Sequence, residues 1–335
     1  MTTVYVSGAT GFIAQHVVKQ LLSKGYKVIG SVRSTEKGDD LVKNFGSDFK
    51  YEVVADVGVP GAFDESLKKH PEVSVFLHTA SPFHFNAKDV EKDLLLPATE
   101  GTKNALKAIK NHGPQIKRVV VTSSYAAVGD ASHEEDPNHV NTEESWNEIS
   151  WEGALKDVRQ GYRGSKTFAE RAAWQFVKDE KPTFVLSTVN PVLVFGPQAF
   201  DSAVKDTLNT SSEVINNFFK LKSSDPVPSA NGRFIDVRDV ARAHLVAFEK
   251  DSAKNQRLVM TAGDFSGQEI ADIIHKNFAE ASKDVPVGKP GTGPQLRTNM
   301  SKSNFSKTEN ILGFKYIDLE KSVIDSVQQV IKKKA

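Results

Sequence analysis

The feature that most limits how this chain can fold is a regular alternation, through its first 190 residues, of short Val- and Ile-rich runs with amphipathic ones. The short runs are TVYVS (3–7), KVIGSV (27–32), YEVVA (51–55), VSVFLH (73–78), KRVVVTS (117–123) and TFVLSTV (183–189). Between the first two lies FIAQHVVKQLLSKG, where Ile13, Val17, Val18, Leu21 and Leu22 recur at helical spacing and Gly25 supplies a stop. Strands apolar on both faces belong in a parallel sheet with helices on both sides. The pattern predicts an α/β fold built on a doubly wound parallel sheet.

After Pro191 the alternation loosens into a Ser- and Asn-rich stretch (201–231), followed by RFIDVRDVARAHLVAFEK. There Asp236 and Asp239 have the spacing of a helix cap and an acidic residue three positions on. VPVGKPGTGP (285–294) reads as an exposed loop, and a last helix spans about 318–333. The chain divides into a cofactor-binding part, 1–190 plus about 232–262, and a smaller C-terminal α/β substrate lobe, about 191–231 plus 263–335. The lobe is expected at the carboxyl edge of the sheet, where such folds bind ligands.

Lys plus Arg (43) nearly equals Asp plus Glu (42), which leaves no global field for nucleic acid or an anionic membrane. A small molecule is the expected partner. The absence of cysteine removes disulfides, thiolate catalysis and Cys-based metal sites, and it fits a reducing compartment. The N-terminal MTTVYVSGATG enters a strand at once, without the basic and apolar regions of a signal peptide. No apolar run approaches the roughly 18 residues of a spanning helix. The expectation is a soluble, cytoplasmic monomer or homodimer. His133 and His139 lie among acids in ASHEEDPNHVN, at no spacing that suits a helical metal site, so no metal is expected.

Gly8-Ala9-Thr10-Gly11-Phe12-Ile13-Ala14 follows the first strand and opens the first helix. In that context glycines allow a tight turn and close phosphate approach, and the helix start offers N–H groups to a pyrophosphate. Gly8, Thr10, Gly11, Phe12 and Ile13 are therefore candidate dinucleotide contacts. The second strand ends SVRSTEK, with Arg33 where a site for NAD usually carries a carboxylate, and Lys37 a turn further on. Those cations favour the 2'-phosphate of NADPH over NADH; a pair of solvated surface cations is the plainer reading. Asp56 and Val57, past the third strand, complete the set, Asp56 either accepting from the adenine amino group or capping the strand end.

In YRGSK, Tyr162 and Lys166 stand four apart and share one helix face. The fifth strand delivers Thr122-Ser123-Ser124 to the same edge of the sheet, Thr122 being counted with the cofactor contacts. A hydroxyl, a phenol and an ammonium beside a nicotinamide make a proton-transfer site. A nearby ammonium is expected to lower the phenol from about 10 toward operating pH. Phe83, Phe85, Tyr125 and Phe195 are candidate pocket walls, with plain core packing the alternative for each.

The segments VSGATGFIA, HTASPF, VTSSYAAV, YRGSK, NPVLVFGPQ and IDVRDVARAHLVAF resemble, in this order, the Rossmann-type extended short-chain dehydrogenase/reductases. Among these they are similar to the fungal NADPH-dependent methylglyoxal/carbonyl reductases related to dihydroflavonol reductase. The resemblance covers nearly the whole chain. It implies that Ser124, Tyr162 and Lys166 form a catalytic triad, and that Thr79-Ala80-Ser81 and Pro191-Val192 line the nicotinamide. It also implies reduction of aldehydes and ketones, methylglyoxal or 3-methylbutanal among them, with NADPH. Glu100 departs from the pattern by standing where relatives often carry Asn, and Arg163 by being larger than expected. A nucleotide-sugar epimerase or dehydratase of the same fold is the nearest alternative; such relatives usually carry Arg near the position of Asn190-Pro191. A non-catalytic dinucleotide sensor is another, but it has no need of the Ser, Tyr and Lys together.

Overall fold

The structure, a computed structural model, describes residues 2–81, 87–297 and 299–334. Its strands are β1 (Thr3–Ser7), β2 (Lys27–Val32), β3 (Phe49–Val53), β4 (Val73–His78), β5 (Arg118–Thr122), β6 (Val140–Asn141), β7 (Val185–Pro191), β8 (Leu193–Phe195), β9 (Asn231–Asp236), β10 (Arg257–Met260), β11 (Gly263–Ser266) and β12 (Lys302–Ser303). Seven of them form one sheet in the order β10-β7-β5-β4-β1-β2-β3, and every neighbouring pair is parallel. The chain starts in the middle, winds out to β3, and returns to β4 on the far side of β1. The order therefore reverses between β1 and β4, the switch point where ligands of such sheets bind.

Alternate side chains of each strand serve opposite faces. Val4 and Val6 of β1 pack with Val17, Val18 and Leu21 of the helix Phe12–Ser23 and with Val240 and Ala243 of the helix Val237–Glu249. Tyr5, between them, faces the opposite layer with Phe76, Leu106 and Ile109 under the helix Leu96–His112. Both layers are closed, as the doubly wound prediction requires. The third predicted strand lies two residues earlier than expected, because fully buried Phe49 pairs with Val28 while Val53 is 48% exposed. The sixth, β7, runs on to Pro191 opposite Met260, where the ladder continues through Val192 N–H to the Met260 carbonyl at 3.3 Å.

β8, β9 and β11 form a second, smaller sheet over a core that includes Phe195, Phe218, Phe234, Phe265, Val323 and Val327. Asp236 caps the helix Val237–Glu249 by accepting from Arg238 N–H at 2.9 Å, as its position in the sequence predicts. Asp239 instead accepts from Ile317 N–H at 2.7 Å and pins the segment before the last helix, Leu319–Lys334. Short strands β6 and β12 pair in parallel at the rim. Among the described residues, no helix is long and apolar enough to cross a membrane.

Candidate active site

β1 runs straight into the glycine turn. Gly8 adopts a φ of +66°, and a Cβ there would stand 2.9 Å from the Ala80 backbone, so only glycine fits between the two loops at the switch point. Gly11 N–H closes the turn on the Gly8 carbonyl at 2.9 Å. Gly11 also starts the helix Phe12–Ser23, with no side chain capping its first N–H groups. Those donors and the helix dipole suit an anion, and the turn fits a dinucleotide pyrophosphate. Behind it, Ser7 Oγ accepts from Thr79 N–H and Ala80 N–H, each at 3.0 Å, and lies 2.9 Å from His78 Nδ1. With both acceptor positions filled, the Ser7 hydroxyl must donate to a neutral His78. Burial first, then the charge of Lys166, lowers that imidazole to about 4, consistent with this assignment. Ser7 was not singled out from the sequence, although it occupies the last position of a strand that ends at the turn.

At the end of β2, Arg33 and Lys37 are exposed and make no hydrogen bond or ion pair to a described residue. Asp56 is exposed past β3, and its Oδ1 accepts from Gly58 N–H at 2.8 Å. Val57 is half-buried and receives Asn104 Nδ2 on its carbonyl at 3.2 Å. Glu100 pairs with Lys103 at 2.9 Å on the helix surface.

Ser124 follows β5 and caps a short 3-10 turn, Tyr125–Ala127, by accepting from Ala126 N–H at 3.1 Å. Its Oγ also accepts from the Tyr162 hydroxyl at 3.3 Å. Two accepted bonds leave the Ser124 O–H as the group it has to give. Tyr162 and Lys166 lie on the helix Val158–Glu180, whose start is set by Asp157 capping Gln160 N–H at 2.8 Å. The expected lowering of the phenol is not found: burial raises Tyr162 above 10, with the Ser124 bond opposing this. Burial lowers the Lys166 ammonium to about 8, with the charge of Glu170 working against the shift. Lys166 forms no ion pair with a described residue, so its charge stays available to a ligand. Arg163 is 8% exposed, pairs with Glu134 and donates to the Gly129 carbonyl at 2.6 Å.

Two buried networks hold this edge. Thr122 Oγ1 is 2.7 Å from His244 Nε2, while His244 Nδ1 lies 2.8 Å from the Val240 carbonyl, which can only accept. The hydroxyl thus donates to His244, and Thr122 ties β5 to the helix behind it instead of turning toward a cofactor. Glu170, 1% exposed, gathers Ser123 Oγ at 2.5 Å, Asn190 Nδ2 at 2.6 Å and Arg257 Nε at 2.6 Å. Sequence reasoning missed both charged partners. The available signals were Glu170 at the next helical step after Tyr162 and Lys166, and Arg257 opening the otherwise apolar strand RLVM.

On the substrate side, Phe195 is no pocket wall. It is fully buried, stacked on Phe234 with ring centres 5.9 Å apart and edge-on to Phe265 at 4.8 Å, because β8 turns its ring into the core of the small sheet. Tyr125 is half-buried beside Ser124, its hydroxyl accepting from Arg233 Nη1 at 2.9 Å. Phe83 and Phe85 lie outside the described residues. Ser81, Pro191 and Val192 stand at the carboxyl edge, past β4 and at the end of β7. His133 and His139 stack on each other at 4.4 Å, and no metal-holding cluster occurs among the described residues.

A parallel, doubly wound sheet with a glycine turn at its switch point and a hydroxyl–phenol–ammonium trio at the next strand end defines a dinucleotide-binding class. More particularly, the chain belongs to the NAD dependent epimerase/dehydratase family, whose pattern matches residues 4–263, within the extended short-chain dehydrogenase/reductases. It is 58% identical to a putative NADPH-dependent methylglyoxal reductase of Candida albicans over 336 residues, covering 98% of each chain. It is 46% identical to the NADPH-dependent methylglyoxal reductase of Saccharomyces cerevisiae, again over 98% of each. The crystal structure of the Candida albicans protein Gre2 in complex with NADPH superposes with a TM-score of 0.97 at 53% identity, covering all of both chains.

Proposed function

We propose that this protein is an NADPH-dependent carbonyl reductase, converting small aldehydes and ketones of the methylglyoxal and 3-methylbutanal type to alcohols. The observation that carries the reading is the Tyr162–Ser124 bond, with Lys166 one turn along the same helix face. The likeness to relatives named as NADPH-dependent reductases along their whole length supports it. On this reading residues 1–190 plus about 232–262 bind the cofactor, and about 191–231 plus 263–335 bind the substrate. A cysteine-free chain suits the cytoplasm, as a monomer or homodimer.

Gly8, Thr10, Gly11, Phe12 and Ile13 hold the pyrophosphate, and Arg33 with Lys37 meets the 2'-phosphate. Asp56 and Val57 flank the adenine end, while Thr79-Ala80-Ser81 and Pro191-Val192 border the nicotinamide. NADPH, once bound, supplies the hydride. The Ser124 O–H and the Tyr162 O–H converge on the substrate's carbonyl oxygen and orient it. As negative charge grows on that oxygen, Tyr162 gives it the proton. Lys166, an ammonium below about pH 8, steadies the phenolate that remains and binds the nicotinamide ribose. The raised phenol pKa suits this direction of reaction, since it keeps the donor protonated.

The test is to follow NADPH absorbance with a panel of small aldehydes, ketones and UDP-sugars. Oxidation of NADPH by the aldehydes and ketones is the expected result. A chain that transforms only the UDP-sugars is an epimerase or dehydratase, and one that binds NADPH but transforms nothing is a sensor.

A further inference from the structure

The carboxylate of Glu170 lies one turn beyond Lys166 and two beyond Tyr162 on the helix Val158–Glu180. Besides Ser123, Asn190 and Arg257, it receives Trp174 Nε1 at 3.1 Å and lies 3.3 Å from Thr188 Oγ1. The Thr188 hydroxyl has one hydrogen and gives it to Asn190 Oδ1, at 2.7 Å. That fixes the Asn190 amide, whose Nδ2 then bridges Glu170 to the Ser124 carbonyl at 3.2 Å. Arg257 extends the cluster to the carbonyls of Ala127 at 3.3 Å, Glu143 at 2.8 Å and Ser145 at 2.6 Å.

Three of these bonds end on the turn that presents Ser124. Glu170 holds the Ser123 side chain, Asn190 holds the Ser124 carbonyl, and Arg257 holds the Ala127 carbonyl. Buried ion pairs are a poor source of stability, because apolar groups of the same volume do as well or better. A pair with side chains 0% and 9% exposed, placed directly behind the reaction centre, is accounted for by what it orients. The Tyr162–Ser124 separation of 3.3 Å is already long for a hydroxyl pair, so a small displacement of the turn parts them.

We infer that Glu170 is the positioning residue of this reaction centre: it locks the Ser123–Ala127 turn to the catalytic helix and places a negative charge behind Lys166. The inference rests on the roles proposed above for Ser124, Tyr162 and Lys166. Among the described residues, the titratable groups facing Lys166 are Tyr162 and Glu170 on its own helix and His78 from β4, which burial keeps neutral with a pKa of about 4. Glu170 is therefore the anion that opposes loss of the Lys166 proton, and Arg257 is the cation that faces Glu170.

The test compares Glu170→Gln and Glu170→Asp in the full chain, using an aldehyde that the wild type reduces and cofactor fluorescence to measure NADPH affinity. Both variants should bind NADPH within about threefold of wild type and lose about ten- to a hundredfold in kcat, the scale set by misplacement on the order of 1 Å. In Glu170→Gln alone, the high-pH limb of kcat should move down by about half a pH unit or more; Asp keeps the charge and restores the limb. An unchanged kcat, or a limb that stays in place in Glu170→Gln, overturns the inference. Should the Gln variant fail to fold, Ser123→Ala and Asn190→Ala each cut one tether while keeping the ion pair. Lower kcat at unchanged NADPH affinity then supports the inference, and unchanged kcat overturns it. An inactive wild type overturns the proposed function and this inference together, whereas an active wild type with an unimpaired Glu170→Gln overturns this inference alone.

Discussion

Tyr162 reaches Ser124 Oγ at 3.3 Å across 38 residues of sequence, so the proposed reaction centre exists only when β5 and the helix Val158–Glu180 are both in place.

The first consequence concerns pH. In the reductive direction Tyr162 must keep its proton and Lys166 its charge. Burial raises the first pKa and lowers the second to about 8, so the ammonium is the group lost first as pH rises. Profiles of kcat against pH should fall through a limb near 8. Lys166→Arg, which cannot lose its charge in that range, should remove or raise the limb, and an unmoved limb would contradict the assignment.

On the proposed reading, cofactor choice is set at the other end of the site. Arg33 is exposed and has no described partner, so Arg33→Ala should leave stability within about 0.5 kcal/mol. One charge-assisted bond to a phosphate is worth roughly 1.5–3 kcal/mol, which predicts an NADPH Kd raised about ten- to a hundredfold. Titration with both cofactors checks this: NADH affinity should hardly change, and equal effects on the two would remove Arg33 from the 2'-phosphate site.

Acid should unfold the protein through its buried histidines. Burial lowers His16, His78 and His244 from 6.5 to about 4 in the fold. A depressed folded pKa gives stability that is complete above the unfolded value and is lost as pH falls from about 6.5 toward 4. At pH 5 the loss is roughly 2 kcal/mol per imidazole, a large share of the 5–15 kcal/mol typical of a domain. Asp239, lifted by burial to about 6, gains stability over the same interval and offsets part of this. Calorimetry should show the melting temperature dropping between pH 7 and 5, less steeply in His244→Gln. A flat profile would contradict the neutral tautomers assigned to His78 and His244.

The sheet was legible because most of its strands are apolar on both faces and separated by helical periods, a signal that survives errors of two residues at β7 and at the edge strand β3, whose Lys50 and Glu52 break the pattern. The glycine turn was legible from its place between a strand and a helix, and Gly8 there has a positive φ and no room for a Cβ beside Ala80. Side-chain partners were not. Phe195 reads the same whether a three-residue strand turns it toward a ligand or into the small core. Arg163 finds Glu134 29 residues away, and Glu170 finds Arg257 87 residues away, through strand order that no local pattern encodes. Thr122 was assigned to the cofactor by its position at the strand end, but its hydroxyl is taken by His244, 122 residues on.

The most direct measurement is turnover of Tyr162→Phe with a small aldehyde and NADPH, alongside its NADPH Kd. Proton donation by a positioned side chain typically contributes about a hundred- to ten-thousandfold, and the variant removes the phenolic oxygen alone. The account predicts a folded protein that binds NADPH as the wild type does and loses kcat by that factor. Turnover equal to wild type would contradict it.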